Sequence, residues 1–494
     1  MPMQSSGNLQ YRVIVGMEIH IHLATESKMF CPCPNRFGDE PNSNVCPVCL
    51  GSPGVLPVMN RRAVEYALRT ALALKCEIAA FTKWDRKNYY YPDLPKNYQI
   101  SQYDLPLAQH GVMDIPVDGQ LKTVRIRRLH LEEDAAKLLH EGLVAASHVD
   151  LNRAGTPLME IVTEPDLASA DEAHAFGSEL RSLVRYLGVS EANMQQGQMR
   201  LEPNVNLAIV RDGQEYRTPI AEVKNLGSLR ALQRAVEFEV QRQLDEFERT
   251  GATMQMGNKS TRGWDEGRGA TVLQREKEEA HDYRYFPDPD LAPVTPEPVW
   301  IEQVRSELPE LPVHRRRRFV EQFGFSEKDV GTVVDDRATA DLFERALAAG
   351  APVRNLANQF ISFWAMHANQ RGVPIAELPV PAERMATLAA MVEQGTVNAT
   401  TAAAIAEKML AEDTDPQAIA ERENLVQVSD SSEIEKLVDE VLAANPQAVA
   451  DASSEGKKQK KAFGFLTGQV MQKSRGQANP KIVNELLQKK LRSS

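Results

Sequence analysis

No stretch of the 494-residue sequence approaches the roughly 18 apolar residues that a membrane-spanning helix requires, so no membrane partner is expected. The first ten residues are polar and lack the apolar core of a secretory leader. Cysteine is scarce and odd in number, at five, and four of the five fall between positions 31 and 49. That disfavours a secreted disulfide framework and points to a metal site in a reducing compartment, the cytoplasm. There is no GxxxxGK[ST] loop and no kinase-type glycine-rich loop, so any nucleotide must be held by another architecture. No internal repeat at solenoid periods is found either.

What is present fits a folded protein, with 42% hydrophobic and 25% charged residues. At about 150 residues per domain the length corresponds to roughly three domains. The net charge of −11 is unevenly spread. Residues 457–494 hold ten Lys or Arg against one acid, Glu485, a local +9 that leaves −20 on the remainder. An acidic body suits cations, and a basic end suits RNA.

Three textures follow one another. Residues 11–294 mix period-two segments, turn residues and helical stretches at 61–74, 171–187 and 229–248, which predicts an α+β domain. The Pro-rich residues 286–298 suit a boundary linker. Residues 295–425 turn helical and Ala-rich, and 426–494 hold amphipathic segments around a polar, basic stretch at 453–461. The four arginines at 315–318 suit a solvated helix face.

In the first strand Val13, Val15, Met17, Ile19, Ile21 and Leu23 alternate with Glu18, His20 and His22, so one face is apolar and the other carries an acid beside imidazoles. Glu202, Asn204 and Asn206 alternate with Leu201, Val205 and Leu207 in the same way. Glu222 and Lys224 alternate with Ala221 and Val223, and residues 124–134 end in Glu132, Glu133 and Asp134. Clustered carboxylates repel unless protonated or bridged by cations. A sheet presenting Glu18, Glu132 or Glu133, Glu202 and Glu222 would therefore suit Mg²⁺ and a nucleotide's phosphates, while His20, an atypical Mg²⁺ ligand, admits Mn²⁺.

Cys31 and Cys33, then Cys46 and Cys49, flank a turn-rich segment, the pattern of a tetrahedral Zn²⁺ site. Four thiolates leave no position for water, so the zinc is expected to be structural. Cys76 suits a buried small hydrophobe. Residues 84–99 (WDRKNYYYPDLPKNYQ) interleave Arg86, Lys87 and Lys96 with aromatics, a composition suited to an RNA end or a base.

These segments together closely resemble the B subunits of the aspartyl/glutamyl-tRNA(Asn/Gln) amidotransferases, the GatB/GatE family. The stretches that carry the resemblance are GMEIHIHL from Gly16, DRKNYYYPDLPKNYQISQ from Asp85, RLHLEEDAAK from Arg128, DLNRAGTPLMEIV from Asp150, AEVKNLGS from Ala221, DYRYFPDPDL from Asp282, and GFLTGQVM with GQANP near the end. The resemblance implies a cradle domain at 1–294 of the glutamine synthetase/guanidino-kinase type, with the zinc insertion at 31–49. It further implies a helical domain at 295–425 and a tRNA-contacting tail at 426–494. Metal-ligand positions fall on Glu18, His20, Glu132 or Glu133, Glu202 and Glu222, and catalytic roles on Glu132, Glu133 and Lys224.

The implied reaction is ATP-dependent phosphorylation of the side-chain carboxylate of Glu-tRNA(Gln) or Asp-tRNA(Asn), followed by amidation with ammonia. This chain has no Ser-Ser-Lys amidase signature, so the ammonia is expected from a partner amidase, the A subunit of such complexes, with a small C subunit completing a heterotrimer. Gln195 and Gln196 stand where many relatives carry acids. The competing interpretation is a non-catalytic, zinc-containing tRNA-binding adaptor, which leaves the four acid-bearing strands without a purpose.

Overall fold

The computed structural model of the chain describes residues 3–6, 9–139, 147–277, 282–426, 431–452, 457–474, 478 and 480–493. The chain divides into two compact units, Met1–His314 and Arg315–Ser494. The fold is mixed α and β, with an 11-stranded sheet in the first unit and helices throughout the second.

The sheet's main strands are β1 (Leu9–His22), β4 (Ala108–Val117), β5 (Gln120–Glu133), β6 (Pro157–Thr163), β7 (Met199–Arg211), β8 (Ala221–Lys224), β9 (Lys259–Asp265) and β10 (Ala270–Lys277). The numbering leaves β2 (Asp85–Asn88), β3 (Tyr98–Ser101) and β11 (Phe286–Pro287) for a second, three-stranded sheet. Across the large sheet the order is β10-β9-β8-β7-β1-β6-β5-β4, and all of these pairings are antiparallel except β8 with β9. β1 lies centrally, bonded on one side to β7 and on the other to β6.

Alternation decides which side faces the core. Val15, Met17, Ile19 and Ile21 of β1 are almost fully buried. They share one core with apolar residues of α1 (Arg61–Ala73), α2 (Ala170–Tyr186) and α3 (Leu229–Thr250). The helices start at side-chain caps: Asn60 accepts from Arg62 N, Ser169 from Glu172 N and Ser228 from Ala231 N. Gly177 lets α2 approach closely, because a Cβ there would stand 2.9 Å from Leu229 and 3.0 Å from Leu201.

β5 changes phase along its length. Val124 and Ile126 are buried, and then Leu129 and Leu131 are. The slip coincides with a register shift against β6 between the Val162 and Thr163 pairs, a β-bulge that places one surplus residue in β5.

Residues 286–298 are not a free linker. Phe286 and Pro287 pair with Arg86 and Asp85, and Val294 and Thr82 exchange hydrogen bonds of 2.8 and 2.9 Å. Beyond them α4 (Pro298–Ser306) packs on α1, with Arg61 over the Trp300 ring. Proline is tolerated here because this is an edge strand.

In the second unit Phe319, Phe325, Phe343 and Phe360 form an aromatic cluster with centroid spacings of 5.2 to 5.8 Å. Residues 434–487 have an apolar core of their own, built from Ile434, Val438, Leu466, Val470, Val483 and Leu487. The arginine run is not a uniform solvated face. Arg315 is buried and pairs with Asp341 and Glu344, Arg318 pairs with Glu344, and Arg317 is exposed. Residues 453–456 of the polar stretch and most of the GQANP motif lie outside the described residues.

Candidate functional site

Register brings the acids together. Glu202 of β7 lies directly opposite Glu18 of β1, and Asn204 opposite Glu222 of β8. On the other side His20 faces Glu160 of β6, which in turn faces His130 of β5. Glu18, Glu202 and Glu222 offer oxygens within 4.8 Å of one another, and so do the ligand atoms of His20, Glu132 and Glu160. The two groups are neighbours, since His20 lies 3.9 Å from both Glu132 and Glu202 and 3.7 Å from Glu160.

Counter-charges surround them. Lys224 Nζ sits 2.7 Å from Glu202 and 3.0 Å from Glu222, while Lys259 is 3.4 Å from Glu222. Asn204 donates to Glu18 at 3.0 Å, and His130 Nε2 stands 3.1 Å from Glu160. Burial opposes ionisation of Glu160, but the charges and hydrogen bond of His130 and the charge of His20 prevail and hold its carboxyl well below the ordinary range. Among the described residues, several buried atoms on this face lack a hydrogen-bond partner: Glu132 Oε2, Asn204 Oδ1 and His20 Nδ1. Buried polar atoms are seldom left so, and a group of them beside two sets of metal-competent donors fits a ligand-binding face.

At the end of the face Asp134 takes a 2.7 Å contact from His22 Nε2, with Arg200 at 3.2 Å and Arg153 at 3.5 Å. Burial pushes the Asp134 carboxyl up, yet Arg200, His22 and Arg153 outweigh it and hold it well below the usual carboxylate range. Burial lowers His22 despite its bond to Asp134.

Glu133 does not join the acids. After the bulge it shares the face of Leu129 and Leu131, where it pairs with Lys96 and accepts from Ile100 N at 3.0 Å. Together with Lys96, Cys31 and Cys49 it lines a cavity of about 110 Å³.

The four cysteines converge as their spacing predicts, with sulfurs within 4.8 Å of one another. Cys46 and Cys49 Sγ are 3.9 Å apart, against about 3.8 Å for a tetrahedron with 2.3 Å Zn–S bonds. The hydrogen bond from Cys31 pushes the Cys49 thiol down to about 4 against the effect of burial, with help from the Cys46 backbone and Lys28, while Cys31 is driven far up. Four converging sulfurs at this spacing fit Zn²⁺. Changing all four to Ser is expected to lower the melting temperature by roughly 5–10 °C. A metal-free variant that melts with the wild type would refute the zinc assignment. Cys76 is buried, and burial pushes it up to about 12.

The GatB/GatE catalytic domain family matches residues 13–302, and the GatB domain family matches residues 341–491. The chain belongs to the GatB/GatE family. It is 46% identical over 485 residues to the B subunit of the aspartyl/glutamyl-tRNA(Asn/Gln) amidotransferase of Carboxydothermus hydrogenoformans, covering 98% of this chain and 99% of that protein. The proteins of the same name from Moorella thermoacetica and Geobacter sulfurreducens are 48% and 47% identical, each over 98% of this chain and 100% of their own length.

The GatB/GatE match spans every acid and cysteine of the site. Within it, Lys87 of the aromatic segment lies in electrostatic reach of Glu132 and Glu160. Lys87 stands 5.0 Å from the Tyr283 ring centroid, and Tyr103 stacks on Tyr285 at 4.1 Å. Burial pulls the Lys87 ammonium down, but Glu132, Tyr285, Tyr89 and Glu160 together raise it above its usual value. The turn at residues 282–288 thus covers Lys87, a role its sequence alone did not suggest. Two further members of the face were not read as ligands from the sequence. Glu160 lies in a largely apolar strand and His130 in a strongly charged one, and the available signal was their phase, opposite to Met159 and Ile161 and to Leu129 and Leu131.

Proposed function

We propose that this chain is the B subunit of a tRNA-dependent amidotransferase, acting in the cytoplasm with an amidase (the A subunit) and a small C subunit. The observation that carries the reading is the meeting of two three-ligand groups on one sheet face, edged with buried unpartnered polar atoms. Oxygen-rich donors with a single imidazole suit Mg²⁺, or Mn²⁺. Glu18, Glu202 and Glu222 would hold one ion, and His20, Glu132 and Glu160 another. When bound, the ions neutralise phosphate charge during phosphoryl transfer. Glu133, on the opposite face, takes no part in holding them.

The carboxylate of Glu-tRNA(Gln) or Asp-tRNA(Asn) is a poor electrophile, because its leaving group would be oxide. Its oxygen attacks the γ-phosphorus of ATP, ADP departs and an acyl phosphate forms. Ammonia adds at the acyl carbon, phosphate leaves with the C–O electron pair and takes up the proton the nitrogen sheds, and the amide remains. Lys224 supplies an ammonium for the phosphate oxygens.

The domain scheme is proposed with it: a cradle of the glutamine synthetase/guanidino-kinase type at 1–294, a helical domain at 295–425 and a tRNA-contacting tail at 426–494. The separate core of residues 434–487 supports the third, while the docking of α4 on α1 favours a first seam nearer residue 314.

The test is ammonia-dependent amidation of charged tRNA by the assembled complex, with and without ATP and Mg²⁺. Under the adaptor alternative Glu18→Gln would weaken tRNA binding and spare the chemistry; here it should do the reverse. Removing residues 426–494 is expected to raise KM for tRNA roughly tenfold and flatten its salt dependence, since phosphate contacts release counterions. An unchanged KM would count against a contact made by the tail.

A further inference from the structure

Three carboxylates as close as Glu18, Glu202 and Glu222 repel one another, and a positive charge among them offsets that repulsion. Lys224 provides it, touching Glu202 and Glu222 at once at 2.7 and 3.0 Å. It sits at the last position of β8, and Asn225 turns the chain away with a φ of 63°. The backbone is thereby fixed, while the side chain remains 36% exposed and has room to swing on its four rotatable bonds. Lys259 reaches only Glu222, at 3.4 Å, and Asn204 brings no charge to Glu18.

We infer that Lys224 is a tethered counter-ion that occupies the Glu202–Glu222 end of the cation site and must be displaced when a divalent cation enters. This rests on the metal reading above and deepens it. Glu202 Oε2 and Glu222 Oε1 cannot accept the ammonium at close range and also ligate a metal ion at its full strength. Divalent binding therefore breaks two charge-assisted contacts, and the released ammonium becomes free for phosphate oxygens. Cation and triphosphate then favour one another through a single side chain.

The test is Mn²⁺ binding to the full-length chain, followed by the electron paramagnetic resonance signal of free Mn²⁺. Lys224→Met is expected to bind Mn²⁺ roughly fivefold tighter than wild type, the competitor having been removed. Lys259→Met deletes the same charge from a single, longer contact and should gain much less. Equal gains from both would overturn the inference, reducing it to bulk charge, and unchanged or weaker binding in Lys224→Met would overturn it as well. Lys224→Gln, which keeps a donor without the charge, should repeat the gain and stands in should the Met variant fold poorly. A wild-type chain with no Mn²⁺ site sensitive to Glu202→Gln would sink the metal reading itself, and this inference with it. Tight binding abolished by Glu202→Gln but indifferent to Lys224 would sink this inference alone.

Discussion

Glu132→Gln is expected to reduce ATP-dependent amidation by the assembled complex on the order of 10²- to 10³-fold, the usual cost of removing one preorganised electrostatic group from a transition state. Transfer of label from γ-³²P-ATP to charged tRNA should fall with it, while glutamine hydrolysis by the partner amidase remains measurable. Glu132 is 3% exposed, 3.9 Å from His20, and has one buried oxygen without a hydrogen-bond partner. The amide keeps the volume and loses the charge. Its neighbour should behave differently. Glu133→Gln leaves the buried Lys96 ammonium without its partner, so its first effect should be on stability, and phosphorylation of the tRNA should persist in the folded fraction. If Glu133→Gln silenced phosphorylation and Glu132→Gln did not, the assignment of the two faces would be wrong.

The second large effect is expected at Asp134. Asp134→Asn removes the anion shared by His22, Arg200 and Arg153, and should cost about 3 kcal/mol, because a buried charge left unpaired is more costly than the pair. The sign of its pH dependence follows from the depressed carboxyl. The stabilisation is complete above the ordinary carboxylate range, near pH 4, and is lost as pH falls through the lower folded value. Urea denaturation of both proteins should therefore show a gap that is constant at neutral pH and narrows in acid. A gap that widened in acid would contradict the ion-pair account.

Much of this was legible because alternation in a half-buried strand names its own faces. Glu18, His20, Glu202 and Glu222 could each be assigned to a polar face from their immediate neighbours. Their partnership could not, since β7 pairs with β1 across some 180 residues and no local pattern declares that adjacency. Glu160 was not read as a ligand for the same reason, as it joins the acid face only because β6 lies between β1 and β5. The cysteines were easier: four soft donors in nineteen positions have few other uses. The Pro-rich stretch misled, because proline marks an edge strand as readily as a break. The choice between Glu132 and Glu133 was left open, although the step from Ile126 to Leu129 in the apolar positions already carried the phase slip.

That slip has an evolutionary consequence. One surplus residue upstream decides which member of an acidic doublet joins the face of His20 and Glu160 and which is delivered to the side of the cysteines. A lineage could exchange their duties by a single-codon insertion or deletion without altering either acid. Alignments of this stretch should accordingly be anchored on the apolar beat flanking the bulge, because two adjacent identical letters conceal two unlike positions.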